Sequence, residues 1–319
     1  MKPMATVTAK IVLSHKSKHD SETNMEKVLV TGASGLLGSK LVKTAREVFE
    51  VIPTHGSTPL FKDSIKMDIT DFAQVSKIFN RVHPDYVMHT AAMTNVDKCE
   101  TDKENAWKIN VKGTENIATI CGKSNIKPVY VSTDYVFNGE KGFYSEEDSA
   151  APINYYGMTK LEGENKVRQN CDDYLITRTS VLYGWNKQKS NFATWIINSL
   201  RNNTSIKVAD DHFNSPTLAD NLAEILVEML RKNLKGTYHT AGDERISRYE
   251  FACAIAKAFS LNEKLITPTK MDKLTMWIAK RPRDSSLCVD KAKKELKTKI
   301  LNVKESLTRL KELEEKAFR

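Results

Sequence analysis

The feature that most restricts this chain is a regular alternation beginning at Met25. "KVLVTG" is a short apolar run, followed by the helical pattern "LLGSKLVKTAREV". "EVIPT", "PDYVMHTAA", "KPVYVSTD" and "DYLITRTSVLYG" are further apolar runs. Amphipathic stretches stand between them: "DFAQVSKIFNRV", "ENAWKINVKGTENIATICGKS" and "YYGMTKLEGENKVRQ". Short strands separated by helices form βαβ units, and their near-continuous apolar character predicts a parallel sheet covered on both faces. The expected architecture is α/β, a Rossmann-type doubly wound domain over 25–184. After about residue 185 the alternation loosens into "NFATWIINSLRN", "SIKVAD", "TLADNLAEILVEMLRK", "GTYHTAG" and "SRYEFACAIAKAF". Residues 185–319 should therefore build mainly a smaller C-terminal substrate lobe, with segments around 210–243 returning to the sheet. Residues 1–24 fit neither a secretory signal nor a transit peptide and are expected to be a loose N-terminal extension.

Composition narrows the function classes. The 319 residues exceed the usual size of a single core, and 40% apolar with 28% charged residues describes a soluble globular protein. No apolar run approaches ~18 residues, so no membrane span is expected. Five scattered cysteines without a C-x-x-C pair point to a reducing, cytoplasmic setting and away from disulfides or a zinc site. The net charge of +9 raises the question of nucleic acid. However, in "DKAKKELKTKILNVKESLTRLKELEEKAFR" the lysines alternate with glutamates, as on a solvated helix face. Attraction of an anionic substrate or cofactor is the better use of the charge.

"KVLVTGASGLLGSKLV" sets Gly32, Ser34, Gly35 and Gly38 between the first strand and the first helix. Gly32 makes the tight turn, Gly35 lets a pyrophosphate approach the backbone, and Gly38 lets the helix pack on the strand. The helix amides then face the phosphates. The G-x-x-G-x-x-G spacing resembles the extended branch of the short-chain dehydrogenase/reductase superfamily. An acid closing the second strand would hold the adenosine ribose of NAD, but "VIPTHGSTP" has none. Thr54, His55 and Ser57 can accept a 2′-phosphate instead, which favours NADP over NAD; the alternative reading of His55 is an exposed loop histidine. In "MDITD", Asp68 either meets the adenine or caps a helix, as does Thr70.

Ten tyrosines in a lysine-rich chain make an accidental Tyr-x-x-x-Lys easy, and two occur: Tyr156/Lys160 and Tyr183/Lys187. Tyr183 is followed by "GWNK", a loop pattern, whereas Tyr156 and Lys160 share one face of a helix. That helix comes about twenty residues after "YVSTDYVFNG", which places Ser132, Thr133 and Asp134 beyond the carboxyl end of a strand, where α/β sheets bind ligands. Hydride reduction of a ketone leaves an alkoxide that needs a proton, and a phenol is a reluctant donor. An ammonium at ~4 Å would stabilise the phenolate by about 4 kcal/mol at an effective dielectric of ~20. Thr133 would hold the carbonyl oxygen, or serve as a strand-end turn residue. Asn110 would order a relay water, or serve in helix packing.

With these residues in hand, the chain resembles the dTDP-4-dehydrorhamnose reductase family over nearly all of 25–300. "HTAAMTNVDKCE", "STDYVFNGEKGFYSEED", "NYYGMTKLEGE", "ITRTSVLYG", "DDHFNSPTLADNLA" and "RPRDSSLCVDK" carry the likeness. The resemblance implies reduction of the 4-keto group of a nucleotide-activated deoxysugar, with Thr133, Tyr156 and Lys160 catalytic and Asp134 on the substrate. It implies cofactor contacts at Gly35, Leu36, Leu37, Asp68, Ile69, Ala91, Ala92, Met93 and Val131. Val181 replaces a substrate-contacting Trp of the family, so the sugar or nucleotide pocket is expected to differ. Arg281 and Arg283 either meet the diphosphate or lie on the surface. Asp134 is followed by Tyr135 rather than Glu, which argues against a dehydratase. The family's metal at a dimer contact has no matching carboxylates here; a homodimer is compatible with the likeness. "KGTYHTAGDERISRYEFACAIAKAF" also resembles the regulatory β subunit of methionine adenosyltransferase. That likeness leaves a non-catalytic NADP-binding role open, and an epimerase is a third alternative.

Overall fold

Seven strands form one wholly parallel sheet: β1 (Lys27–Thr31), β2 (Glu50–His55), β3 (Ile65–Lys66), β4 (Tyr86–His89), β5 (Lys127–Thr133), β6 (Leu175–Thr179) and β7 (Gly236–His239). Their order across the sheet is β3-β2-β1-β4-β5-β6-β7. This computed structural model describes residues 25–186 and 189–318. The direction of winding reverses between β1 and β4, and the carboxyl ends of strands at such a switch point open a crevice for ligands. The doubly wound sheet is thus the one the alternation predicts.

Helices cover both faces. On one lie α1 (Leu36–Ala45) and α6 (Ala219–Arg231), where Val28 and Val30 meet Leu41, Leu222 and Leu226 in a dry core. On the other lie α2 (Phe72–Val82), α3 (Gly113–Lys123) and α4 (Tyr155–Asn170), where Leu29 joins Ile78, Ile117 and Val167. Val28 and Val30 face one way and Leu29 the other, as the twofold period of a strand requires. A third core, with Ile197, Phe251, Ile255, Leu307 and Leu310, belongs to α5 (Phe192–Arg201), α7 (Arg248–Ala258) and α8 (Val303–Phe318). The basic C-terminal stretch begins as a short helical segment at Asp290–Glu295 and ends in α8, where Arg309 pairs with Glu224 and Glu314 meets Arg201 at 2.7 Å.

Three local expectations change. The long helix read over 104–124 is interrupted by a π-helical turn at Lys108–Lys112, where the wider turn swings Asn110 inward. The strand read through "DYLITRTSVLYG" stops at Thr179. Leu182–Tyr183 then pairs with Thr217–Leu218 outside the main sheet, and the break falls at Val181, whose φ of 43° is unusual for a β-branched residue. Finally, α2 is capped by Asp71, which accepts from the Gln74 amide at 3.0 Å, and not by Asp68 or Thr70. Residues 1–24 and Lys187 lie outside the described residues. No helix among the described residues is long and apolar enough to cross a membrane.

The glycine turn behaves as its spacing predicts. Gly32 has φ +67°, and a Cβ on Gly38 would lie 2.3 Å from the Gly32 carbonyl oxygen. Helix α1 therefore sits on the turn as closely as a backbone can. Gly38→Ala must push helix from turn; unfolding in urea should show a loss of about 2–3 kcal/mol.

Candidate active site

A cleft of about 640 Å³ opens beyond the carboxyl ends of β1, β4 and β5. One wall is the start of α1. Gly35 precedes the helix without any side chain to cap it, and Ser34, Gly35, Leu36, Leu37 and Gly38 all line the cleft. The only atom within 4 Å of a Cβ placed on Gly35 would be the Gly32 oxygen, so the turn leaves a cradle open on its cleft side. First-turn amides without a side-chain cap among the described residues, at the positive end of a helix, suit the phosphates of a dinucleotide.

The opposite wall is built by β5 and α4. Asn154 caps α4 by accepting from Gly157 N at 2.8 Å, which starts the helix one residue before Tyr156. A Cβ on Gly157 would stand 2.1 Å from the Tyr135 oxygen, and one on Gly163 2.2 Å from the Tyr130 hydroxyl. Two glycines six residues apart thus bring the helix close to β5 and to the turn that follows it. Thr133, Asp134, Tyr156, Lys160, Val131 and Val181 all line the cleft together. Tyr183, by contrast, is fully buried elsewhere and donates to Ser306 Oγ at 2.5 Å.

Several expected contacts fall outside the lining. Gly32 shapes the turn, and Ala91 backs it, donating its amide to Thr31 Oγ1 at 3.2 Å. Ala92 reaches the cleft. His55 is buried at the end of β2 with its ring against Ser64 Oγ. Asp68 is exposed and accepts from the Thr70 amide and hydroxyl at 2.9 and 2.8 Å, while Ile69 is buried in the core. Met93 N donates to Asn110 Oδ1 at 2.8 Å, and Asn110 Nδ2 returns bonds to Met93 O at 3.1 Å and Thr159 Oγ1 at 3.0 Å. The Asn110 amide is committed to tying the segment after β4 to α4, and it does not line the cleft. The side chain thus has the helix-packing contacts that the sequence offered as one of its two readings.

Sequence reasoning missed Thr90, Thr94, Thr179, Leu182, Asn186, Lys189, Ser190 and Asn191, which complete the lining. Lys189 Nζ donates to Thr94 Oγ1 at 3.3 Å across the mouth. The signal available was Asn191 with Thr194, a capping box at the start of α5 that marks this loop's end. Arg281 pairs with Asp97 at 2.7 Å, while Arg283 is largely exposed at 3.7 Å from Asp211. Neither lines the cleft. Among the described residues no three His, Cys, Asp or Glu side chains gather as a metal site.

The electrostatics depart from the simple pairing of ammonium with phenol. Lys160 Nζ donates to Val131 O at 2.7 Å and lies 4.0 Å from the centroid of the Tyr130 ring. Burial pulls its pKa down from 10.5 to about 7, opposed by the Glu164 carboxylate. Tyr156 is pushed well above its ordinary value by burial, against a hydrogen bond from Thr133 that lowers it and the Asp134 charge that raises it. The ammonium is thus not what governs the phenol here, because dehydration of both groups outweighs their attraction. Asp134 is raised by burial although Ser180 and Ser285 hydroxyls donate to Oδ2 at 2.8 and 2.5 Å and Thr133 donates to Oδ1 at 3.0 Å. For Lys160 the unfolded chain binds the proton more tightly than the fold does. Stability is therefore lost as pH falls from about 10.5 to about 7 and stays constant below. Lys160→Met should raise stability at pH 7 by on the order of 2 kcal/mol, net of the lost bond to Val131, and by little near pH 10; thermal unfolding at both pH values measures it.

The chain resembles known proteins in sequence and, for one solved structure, in fold. The probable low-salt glycan biosynthesis reductase Agl14 of Haloferax volcanii is 35% identical over 84% of this chain and 91% of its own. Methionine adenosyltransferase 2 subunit beta of Xenopus laevis is 31% identical over 76% of this chain and 75% of its own. The crystal structure of dTDP-4-dehydrorhamnose reductase from Bacillus anthracis in complex with NADP superposes with a TM-score of 0.82 at 30% identity, covering 90% of this chain and 98% of that one. The family model described as the RmlD substrate binding domain matches residues 25–315, and the chain belongs to that family.

Proposed function

We propose that this chain is an NADPH-dependent reductase of a nucleotide-activated sugar, acting on the 4-keto group of a deoxysugar as dTDP-4-dehydrorhamnose reductase does. The observation that carries this reading is the meeting, in one cleft, of the uncapped α1 amides with Thr133, Tyr156 and Lys160. The amides of Leu36 and Leu37 would hold the pyrophosphate, and a bound nicotinamide dinucleotide supplies the hydride. Thr133 orients the sugar ketone oxygen through its hydroxyl. Tyr156, kept protonated by burial, delivers its phenolic proton to that oxygen as negative charge develops there. Lys160 supplies positive charge beside the reacting oxygen in a water-poor site, where an ion acts more strongly than in water. Asp134 and Val181 face the sugar, and the small Val181 leaves room that a larger side chain would fill. The chain after β2 offers Ser57 and no carboxylate, while Ser34 donates to Thr58 O at 2.5 Å, an edge that suits a 2′-phosphate.

Likeness to the methionine adenosyltransferase subunit supports a second reading, a dinucleotide-binding subunit without turnover. Mixing the protein with NADPH and a dTDP-4-keto-6-deoxysugar separates the two: loss of the nicotinamide absorbance supports the reductase. No oxidation at any protein concentration, together with a copurifying adenosyltransferase, supports the subunit. Tyr156→Phe should lower kcat by roughly 10²–10⁴-fold while NADPH affinity, read by fluorescence titration, stays within a few fold.

A further inference from the structure

Behind the cleft lies a charged cluster that the chemistry above does not use. Glu164, one turn beyond Lys160 on the same face of α4, is completely buried. Its Oε1 accepts from Ser132 Oγ at 2.6 Å and Arg178 Nε at 2.9 Å. Its Oε2 accepts from Arg178 Nη2 and Arg168 Nη2, both at 2.8 Å. Arg178 is itself buried, and its Nη1 has no hydrogen-bond partner among the described residues. A buried ion cluster left incomplete in this way is a poor device for stability, because apolar side chains of equal volume would serve as well or better. Its position offers another purpose.

Consider what faces Lys160. From its own helix come Tyr156 and Glu164; from β5 the Tyr130 ring and Val131 carbonyl; from β4 His89. Arg178 approaches from β6 through Glu164. His89 is held neutral by burial and by Lys160 itself, and burial keeps the Tyr130 phenol protonated. Asp134 is engaged by Ser180 and Ser285. Glu164 is the carboxylate left to oppose the charge of the buried amine.

We propose that Glu164 is a positioning residue that acts through Lys160: its carboxylate keeps the amine charged inside the dry cleft, while its bond to Ser132 fixes the strand end carrying Thr133. The inference rests on the reductase reading for what the charged lysine is for, but its physical content is a coupling between two side chains. The test is a pH titration of the Lys160 ¹³Cε resonance in the full-length protein with labelled lysine, assigned by its disappearance in Lys160→Met. Glu164→Gln should make Lys160 lose its proton about ten times more readily, and Glu164→Asp should restore most of the difference. An unmoved midpoint in a folded Glu164→Gln protein overturns the proposal.

If Glu164→Gln does not fold, Arg168→Gln gives the test in the opposite sense. Arg168 is partly exposed and lends one bond to Oε2, so its loss strengthens the carboxylate's hold and should make Lys160 keep its proton at least twofold more tightly. No change there overturns the proposal equally. With substrate, the falling limb of the kcat/KM profile should move to lower pH together with the midpoint in Glu164→Gln. A midpoint that moves without turnover in either protein refutes the reductase reading and leaves the coupling. Turnover with an unmoved midpoint refutes the coupling alone.

Discussion

The site depends on one steric constraint: α4 has no space for a Cβ at Gly157, against the Tyr135 carbonyl just past β5, or at Gly163, against the Tyr130 ring of β5. Interiors are packed to the density of organic crystals, so a contact this close sets position as well as distance. With no room for α4 to move inward or to turn a larger residue toward β5, Tyr156 and Lys160 stand over the end of the strand that carries Thr133. Asn154 at the helix start and the π-helical turn holding Asn110 against Thr159 add polar ties to the same placement.

The two ends of the cleft are prepared differently for charge. At α1 the preparation is a lack, since the first turn is left without a capping side chain and its amides await an acceptor. At α4 it is an excess, with a lysine, two arginines and a glutamate drawn into or beside the core. Dehydration makes each of these groups costly and at the same time strengthens its action over short distances. Lys160 shows the balance: burial draws it toward neutrality and Glu164 draws it back.

Much of this was legible in the sequence because the periods of strand and helix write the sheet directly into the order of apolar residues. The glycine turn and the choice of Tyr156 over Tyr183 were readable from what flanks them. The side-chain partners of Asn110, Met93 and Thr159, are distant in the chain, and no spacing announces them. Tyr156 and Lys160 line one cleft, but burial rather than their mutual attraction is the largest influence on each. A helical interval of four reports a shared face but not how dry that face is. The wall formed by Lys189, Ser190 and Asn191 was missed because loops have no period. Glu164 and Arg178 are fourteen positions apart on a helix and a strand, and only the fold brings them together.

The place of β7 in the sheet governs how the chain must be made. Its residues are Gly236–His239, and α6, which covers α1, ends only at Arg231. As the chain leaves the ribosome, six of the seven strands are complete in sequence long before the sheet is complete in space. Until some 240 residues have emerged, β6 has an open edge and α1 an uncovered apolar flank, both invitations to wrong partners. A fragment ending near residue 184 would be born with the same defects permanently, so the first six strands are folding dependants of the segments that follow them.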